Sequence, residues 1–462
     1  MAFINRKEEL KLLKDRIASN KAEFIIIYGR RRVGKSEIIN EILKQNYGLK
    51  LLAREESEEL QLRKFSESLS TFLKDETLAK NHFKNWDAFF TYINERSKKR
   101  IIIALDEFPY LVAENKSITS ILQDYWDNKL KNSKICLILC GSSISMMERL
   151  LGHKSPIYGR RTSQLLITPF SLKQALDYLN MTFEDAVKAY SVFGGTPAYV
   201  LEYNIKKDLR WNLIEKVLKK DSFLCRDVEF VLKEELREPR YYYSIISSVA
   251  KGNTKISEII NDTGLDKGIV GKYLSILTEL MLIKREVPVT ENPLKSRKGI
   301  YIISDNFFKF WFRFIYPNKE TIENENYNVV IENIFKYLND YIGHTFEDVC
   351  KAALEEMNRS NKINFSKINR WWYKDKEIDI VALNEDTKEI MFCECKWQDN
   401  VDAARILNEL KEKAKFVEWH NGNRKERYAI FAKSFKKTIK EKDLLLFDLK
   451  KIETELKKHL RT

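Results

Sequence analysis

The stretch Glu23-Phe24-Ile25-Ile26-Ile27-Tyr28-Gly29-Arg30-Arg31-Arg32-Val33-Gly34-Lys35-Ser36 decides how the rest of the chain is read. Its first six residues, β-branched and aromatic, have the pattern of a buried strand, and from Ser36 to Gln45 the apolar spacing is helical. Between them stands GxxxxGK[ST], in the strand, loop and helix setting that this pattern needs. The N–H groups of such a loop and of the following helix N-terminus can cradle phosphate, so Gly29, Arg30, Arg31, Arg32, Val33 and Gly34 are assigned to a nucleotide. Lys35 is expected to reach the β and γ oxygens, and the Ser36 hydroxyl to ligate Mg2+.

Working outward, a second apolar strand, Arg100 to Leu105, ends in Asp106-Glu107. At the carboxyl end of a parallel strand beside the phosphate loop, Asp106 would join the Mg2+ shell and Glu107 would polarise the attacking water. A third strand, Ile135 to Cys140, leads into Gly141-Ser142-Ser143. Ser142 there is read as a sensor of the γ-phosphate or the water, with a helix cap as the plainer alternative. Gly159-Arg160-Arg161 precedes a further strand, Gln164 to Ile167; either Arg160 or Arg161 is a candidate for transition-state charge, or both lie on the surface.

Composition bounds the remainder. A chain of 462 residues suggests about three domains. Fifteen glycines and eight prolines make about 5% of the chain against a usual ~12%, which excludes flexible, collagenous and low-complexity classes. No apolar run approaches the ~18 residues of a membrane span. The charged start Met1-Ala2-Phe3-Ile4-Asn5-Arg6-Lys7-Glu8 does not read as a signal peptide. Six cysteines without a CxxC pair read as reduced, buried thiols, so the expected location is the cytoplasm. His82, His153, His344, His420 and His459 have no zinc spacing. Lys and Arg exceed the acids by 14, which favours a polyanionic partner; a solvated lysine-rich surface is the alternative. Gly48, Gly252, Gly268, Gly271 and Gly422 read as ordinary turn or helix positions.

The segments Phe3-Ile4-Asn5-Arg6-Lys7-Glu8-Glu9-Leu10, GRRRVGKS, LDEF at 105–108, CGSS at 140–143, YGRR at 158–161 and Phe193-Gly194-Gly195-Thr196-Pro197-Ala198-Tyr199 together resemble archaeal-type ATPases of the AAA+/STAND group of P-loop NTPases. The resemblance covers residues 1 to about 235 and implies ATP as the nucleotide. It also implies that Phe3 and Ile4 line the adenine, and that the segment ending at Pro197 belongs to a helical lid closing on the nucleotide. Asn5 departs from the family, which often has Gly there.

From Tyr241 the pattern changes to short helices: Ser244 to Ala250, Ile256 to Ile260, a turn at Thr263-Gly264-Leu265, and Lys267 to Leu280. Two strands, Leu282 to Val287 and Gly299 to Ser304, flank a loop with Lys295, Arg297 and Lys298, which is a winged helix-turn-helix plan. If it binds DNA, Lys267, Lys272 and Ser275 are the exposed candidates on the third helix; docking to protein is the alternative. The aromatic run Asn306 to Ile315 reads as a buried helix, not as a base-stacking platform.

A polar linker is expected at Asn318 to Asn326, then a helical region containing Glu347. Strands are expected at Trp371–Tyr373, Glu377–Ala382 and Glu389–Trp397, a helix at Ala403–Phe416 and a strand at Tyr428–Ala432. Residues two apart on a strand share a face, so Glu394 and Lys396 point together, and a hairpin partner can bring Asp379 alongside. Two carboxylates and a lysine can hold Mg2+ and activate water for phosphodiester attack. Their charges interrupt an otherwise apolar strand, where unpaired charge is costly. This region resembles the PD-(D/E)xK nuclease superfamily, in the variant carried at the C-terminus of the same ATPases. By that resemblance Asp379, Glu394 and Lys396 match, with Glu347 as a further acid. Ile378 stands where the family has Pro, and a domain that kept the fold but lost cleavage is the alternative.

The expected architecture is therefore α/β: a P-loop ATPase core at 1–167, a helical lid at 168–238, a winged helix at 239–318 and a nuclease-like domain of restriction-endonuclease type at 325–462. The expected function is an ATP- and Mg2+-dependent protein acting on double-stranded DNA, with no membrane partner and a homo-oligomer open. The rival reading is an ATP-dependent switch or assembly protein with an inactive nuclease-like domain.

Overall fold

The computed structural model describes residues 5–236 and 239–457, and the chain divides after Pro169 into two compact units. The first unit is built on five parallel strands: β1 (Glu23–Tyr28), β2 (Gly48–Leu52), β3 (Ile101–Asp106), β4 (Ile135–Gly141) and β5 (Ser163–Leu166), in the order β2-β3-β4-β1-β5. β1, β3 and β4 are buried along their whole length, as strands covered on both faces must be, which is why they read as unbroken apolar runs. Side chains alternate between two cores. Phe24 and Ile26 join Leu62, Phe65, Trp86 and Phe89 on one face; Ile25 and Ile27 join Leu13, Ile38, Ile39 and Ile42 on the other.

Two features of this unit escaped the sequence reading. The helices Glu58–Leu73, Glu76–Lys80 and Trp86–Arg96 supply much of the first core. β2 is a partly exposed edge strand, too short and mixed to announce itself. Gly48, read as an ordinary turn, begins β2, and a Cβ there would lie 2.5 Å from the Ile102 Cβ and carbonyl oxygen, so only glycine lets the strands approach.

The second unit opens with the helices Leu172–Leu179 and Phe183–Phe193. The segment after them is tied down within this unit: the Gly195 carbonyl accepts from the Phe170 amide at 2.7 Å, and the Thr196 hydroxyl donates to the buried Asp305 carboxylate at 2.8 Å. Pro197 opens the short helix Pro197–Val200. After the helical segments Leu209–Asn212, Leu213–Leu218 and Phe223–Glu235 come three more helices, Pro239–Ala250, Ile256–Thr263 and Lys267–Glu279, and then an antiparallel pair, β6 (Ile283–Glu286) and β7 (Ile300–Ile303). The aromatic run is a buried helix, Asn306–Phe310, that continues as a π-helical turn, Trp311–Ile315.

The linker expected at Asn318 to Asn326 is absent as such. Tyr316–Asn318 forms a 3-10 turn and Lys319–Glu323 a helix whose Ile322 is buried, so an apolar anchor overrides the polar composition. The 33-residue helix Tyr327–Arg359 then packs against a five-stranded sheet of β8 (Lys367–Tyr373), β9 (Lys376–Asn384), β10 (Glu389–Lys396), β11 (Lys425–Ala432) and β12 (Leu444–Phe447). β8, β9 and β10 are antiparallel neighbours, whereas β10, β11 and β12 run parallel. The helix Ala403–Ala414 makes the β10 to β11 crossover and packs on the face lined by Ile390 and Phe392. β12 and the helix Leu449–Lys457 extend the expected order; β12 is an edge strand behind a Lys-rich stretch.

Candidate active sites

In the first unit the carboxyl ends of β1, β3 and β4 bring the expected residues together. After β1 the loop turns through Gly34, whose φ of +90° suits glycine, into the helix Lys35–Leu43. Lys35 is 5% exposed, and its ammonium donates to the carbonyls of Gly29 and Arg30, both at 2.9 Å, so the side chain curls over the loop. Ser36 donates its hydroxyl to Asp106 Oδ2 at 2.7 Å. Asp106, 2% exposed, also accepts from the Glu107 amide at 3.1 Å. Glu107 has a left-handed φ of +55°, a strained position that turns its carboxylate toward β4, where Ser142 donates to it through both amide and hydroxyl. Arg31 donates to the Tyr110 hydroxyl at 2.9 Å.

Two side chains of this site went unread. Lys50, on β2, places its ammonium 3.7 Å from Asp106 Oδ2. Arg6, 3% exposed with φ +63°, donates to the carbonyls of Val33 at 2.9 Å and Thr168 at 2.6 Å and pairs with Glu9 at 3.0 Å, pinning the phosphate loop from below. Burial lowers its pKa against the pull of Glu9. In sequence it is one more charged residue ahead of a helix that is itself rich in charge. Arg160 is held by both oxygens of Asp127, at 2.7 and 3.0 Å, and Arg161 lies over the Tyr158 ring. Phe3 and Ile4 lie outside the described residues.

Residues 3–203 match a family described as an ATPase domain predominantly from Archaea. Residues 184–302 and 311–415 match two families of unknown function, the second from archaeal and bacterial proteins. A relative in Methanocaldococcus jannaschii, the uncharacterized protein MJECL04, is 37% identical over 454 residues, covering 97% of this chain and 99% of the relative. The chain belongs to this family of archaeal P-loop ATPases. The ATPase is also 21% identical over 395 residues to the uncharacterized ATP-binding protein MJ1010 of the same organism, covering 71% of this chain and 97% of the relative. Among solved structures, the Walker-type ATPase PABY2304 of Pyrococcus abyssi matches with a TM-score of 0.51 and 20% identity, over 67% of this chain and 96% of that one, which shows a shared fold.

The second cluster lies in the C-terminal part of the ATPase. Pairing of β9 with β10 ends at Ile380 and Cys393, and one residue beyond, Asp379 Oδ2 replaces the ladder by accepting from the Cys395 amide at 2.7 Å. Glu394, 5% exposed, pairs with Lys396 at 2.8 Å. Burial, with the nearby carboxylates of Glu394 and Glu347, pushes the Asp379 pKa up to about 8, against the Cys395 amide and Lys396. Glu347 is bound by Arg370 at 2.6 Å and lies 3.5 Å from His344 Nδ1. Lys413, on the helix Ala403–Ala414, was missed: its ammonium donates to both Glu394 oxygens at 3.0 Å.

The two clusters differ in how they could hold Mg2+. Ser36 and Asp106 offer hard oxygens at a helix N-terminus, and they fit. Among the described residues no three His, Cys, Asp or Glu side chains gather to hold a metal by themselves. Asp379 with Glu394 therefore fits only a cation that keeps water or phosphate ligands, as Mg2+ commonly does. No helix among the described residues is long and apolar enough to cross a membrane. On the third helix of the middle trio Lys267, Lys272 and Ser275 are exposed, as are Lys295, Arg297 and Lys298 in the loop between β6 and β7.

Proposed function

We propose that this ATPase couples ATP hydrolysis to action on DNA, with a metal-dependent phosphodiesterase centre in its C-terminal part. The observation that carries the first half is the convergence of Lys35, Ser36, Asp106, Glu107 and Ser142 on three adjacent strand ends. The loop amides, with Gly29, Arg30, Arg31, Arg32, Val33 and Gly34, hold the phosphates, and Lys35 exchanges its carbonyl partners for β and γ oxygens. Ser36 and Asp106 would hold a Mg2+, which would offset charge on those oxygens. Glu107 takes the proton of the attacking water, and Ser142 orients Glu107. Arg160 reaches phosphate only after leaving Asp127.

The second half rests on Asp379 lying beside Glu394 and Glu347 in a buried setting. Such crowding of like charge is relieved by a divalent cation, which there would offset charge on the scissile phosphate. Asp379 and Glu394 would hold it, and Lys396 would orient the water. The three helices with β6 and β7 form a winged helix that grips duplex DNA through Lys267, Lys272 and the loop lysines. The rival switch reading has an observation in its favour: Lys413 engages both oxygens of Glu394.

A paired assay tests the proposal. ATP turnover and plasmid cleavage are measured with Mg2+ or Mn2+ for wild type, Lys35→Ala and Asp379→Ala. Turnover should vanish in Lys35→Ala alone, whereas nicking should vanish in Asp379→Ala and fall in Lys35→Ala. Wild-type DNA cut no faster than with Asp379→Ala would leave the switch reading.

A further inference from the structure

The second unit contains a cavity of about 440 Å3 that neither site explains. Its walls come from the end of the helix Pro239–Ala250, β7, the aromatic helix, the helix Tyr327–Arg359 and the β8–β9 hairpin. Six cations, Lys251, Lys255, Lys309, Arg313, Lys374 and Lys376, line it together with Arg370, against the three carboxylates Asp340, Asp375 and Glu377. Several are already matched: Lys376 by Asp375, Lys255 by Glu258, Lys251 by Asp262 and Arg370 by Glu347. Among the described residues no carboxylate lies within 4.0 Å of Lys309, Arg313 or Lys374.

Lys309 is the informative member. It is largely buried over the Tyr341 ring at 5.5 Å, and burial lowers its pKa although Asp348 and Glu347 oppose the shift. Arg370 and Lys284 add to the depression, so cations are crowded there. A largely buried ammonium with no carboxylate within 4.0 Å among the described residues can take a phosphate as its direct partner. Trp372 of β8 and Tyr337 of the helix Tyr327–Arg359 also line the cavity, and aromatic rings beside cations are how unpaired bases and their backbone are held. The cavity also adjoins the carboxylate cluster, because Arg370 and His344 line it and both contact Glu347.

Size decides the form of the ligand. Pockets of about 300 to 1,000 Å3 enclose small ligands, so this volume takes about one or two nucleotides and excludes a duplex. We propose that the cavity binds unpaired nucleotides of a DNA strand, base against Trp372 and phosphate against Lys309 and Arg313, and presents that strand to Asp379 and Glu394. This rests on the DNA reading above and replaces its duplex with a strand end or an opened segment at the cleavage centre.

The test uses full-length Asp379→Asn protein in EDTA, so that binding is read without cleavage. Anisotropy is measured with a fluorescent oligo(dT) and with a duplex of equal length. The single strand should bind more tightly, and Trp372→Ala and Arg313→Gln should each weaken it about tenfold with little change for duplex, while Trp372→Phe restores stacking. Equal loss for both DNAs, no loss in Arg313→Gln, or dTMP competing as well as the oligonucleotide would overturn the proposal. The wild type is scored separately for cleavage with Mn2+. Absent cleavage with intact strand-selective binding would overturn the nuclease reading and leave the cavity assignment standing.

Discussion

Glu107 Oε2 accepts two hydrogen bonds from Ser142, one from the amide at 3.1 Å and one from the hydroxyl at 2.8 Å. The carboxylate proposed as the general base is thus oriented by the end of the neighbouring strand. General-base groups contribute about 100-fold or more to rate, so Glu107→Gln should cut kcat at least ~100-fold with ATP still bound. Ser142→Ala removes one of the two bonds and should lower kcat about three- to tenfold, leaving KM for ATP nearly unchanged. Steady-state ATPase kinetics with a nucleotide-binding titration check both; a KM effect in Ser142→Ala would point to direct phosphate contact instead.

Lys50 competes for Asp106. Its ammonium lies 3.7 Å from Oδ2, so a divalent cation held there as proposed would have to displace it. Lys50→Met should therefore lower the Mg2+ concentration for half-maximal ATP hydrolysis by a few-fold. Mg2+ titrations at fixed ATP read this directly. An unchanged midpoint would place Lys50 outside the cation site.

How far the sequence led is itself a matter of range. Residues 23–36, 101–107 and 135–142 were legible because apolar strands buried on both faces announce themselves locally, and polar residues at their ends stand out. Glu394 and Lys396 were legible because their charge interrupts a buried strand, and Asp379 because a hairpin partner was expected beside them. Arg6, Lys50 and Lys413 were not. Each acts through a partner at a distance in sequence, Val33, Asp106 or Glu394, and each is an ordinary basic residue in its own neighbourhood. The linker misread at 318–326 failed for a related reason: the segment is polar except for the one side chain, Ile322, that anchors it.

Lys413 supplies a third test. Bound to both oxygens of Glu394, it occupies the place a cation would take. Lys413→Gln should tighten Mn2+ binding at Asp379 and Glu394, read as a larger rise in Tm per millimolar Mn2+ than in wild type. Reduced Mn2+ stabilisation in the variant would make Lys413 a support for the site instead of a competitor.

Asp379 should cost stability when no metal is present. Its pKa of about 8 in the fold exceeds the ~3.9 of an unfolded aspartate, so the native state holds the proton more firmly. A raised carboxyl contributes fully below the unfolded pKa and loses that contribution as pH rises through about 8. In EDTA at pH 8, Asp379→Asn should melt a few degrees above wild type, and the gap should close toward pH 4. Thermal melts over this range, repeated with Mn2+ to favour the wild type, decide it.

The loop between β6 and β7 allows a graded test of DNA binding. Lys295 and Arg297 are exposed, with no carboxylate within 4.0 Å among the described residues, whereas Lys298 is bound to Glu291 at 2.6 Å. A cation that releases condensed counterions from a duplex changes the slope of log K against log salt by about 0.9 per phosphate. Lys295→Gln with Arg297→Gln should flatten the slope by up to about 1.8, while Lys298→Gln, already half spent on Glu291, should do less. Affinity should fall alike for unrelated duplex sequences, because phosphate contacts carry no base information. Duplex titrations from low to moderate salt read all three quantities, and a slope unchanged in the double variant would remove this loop from the DNA interface and favour protein docking.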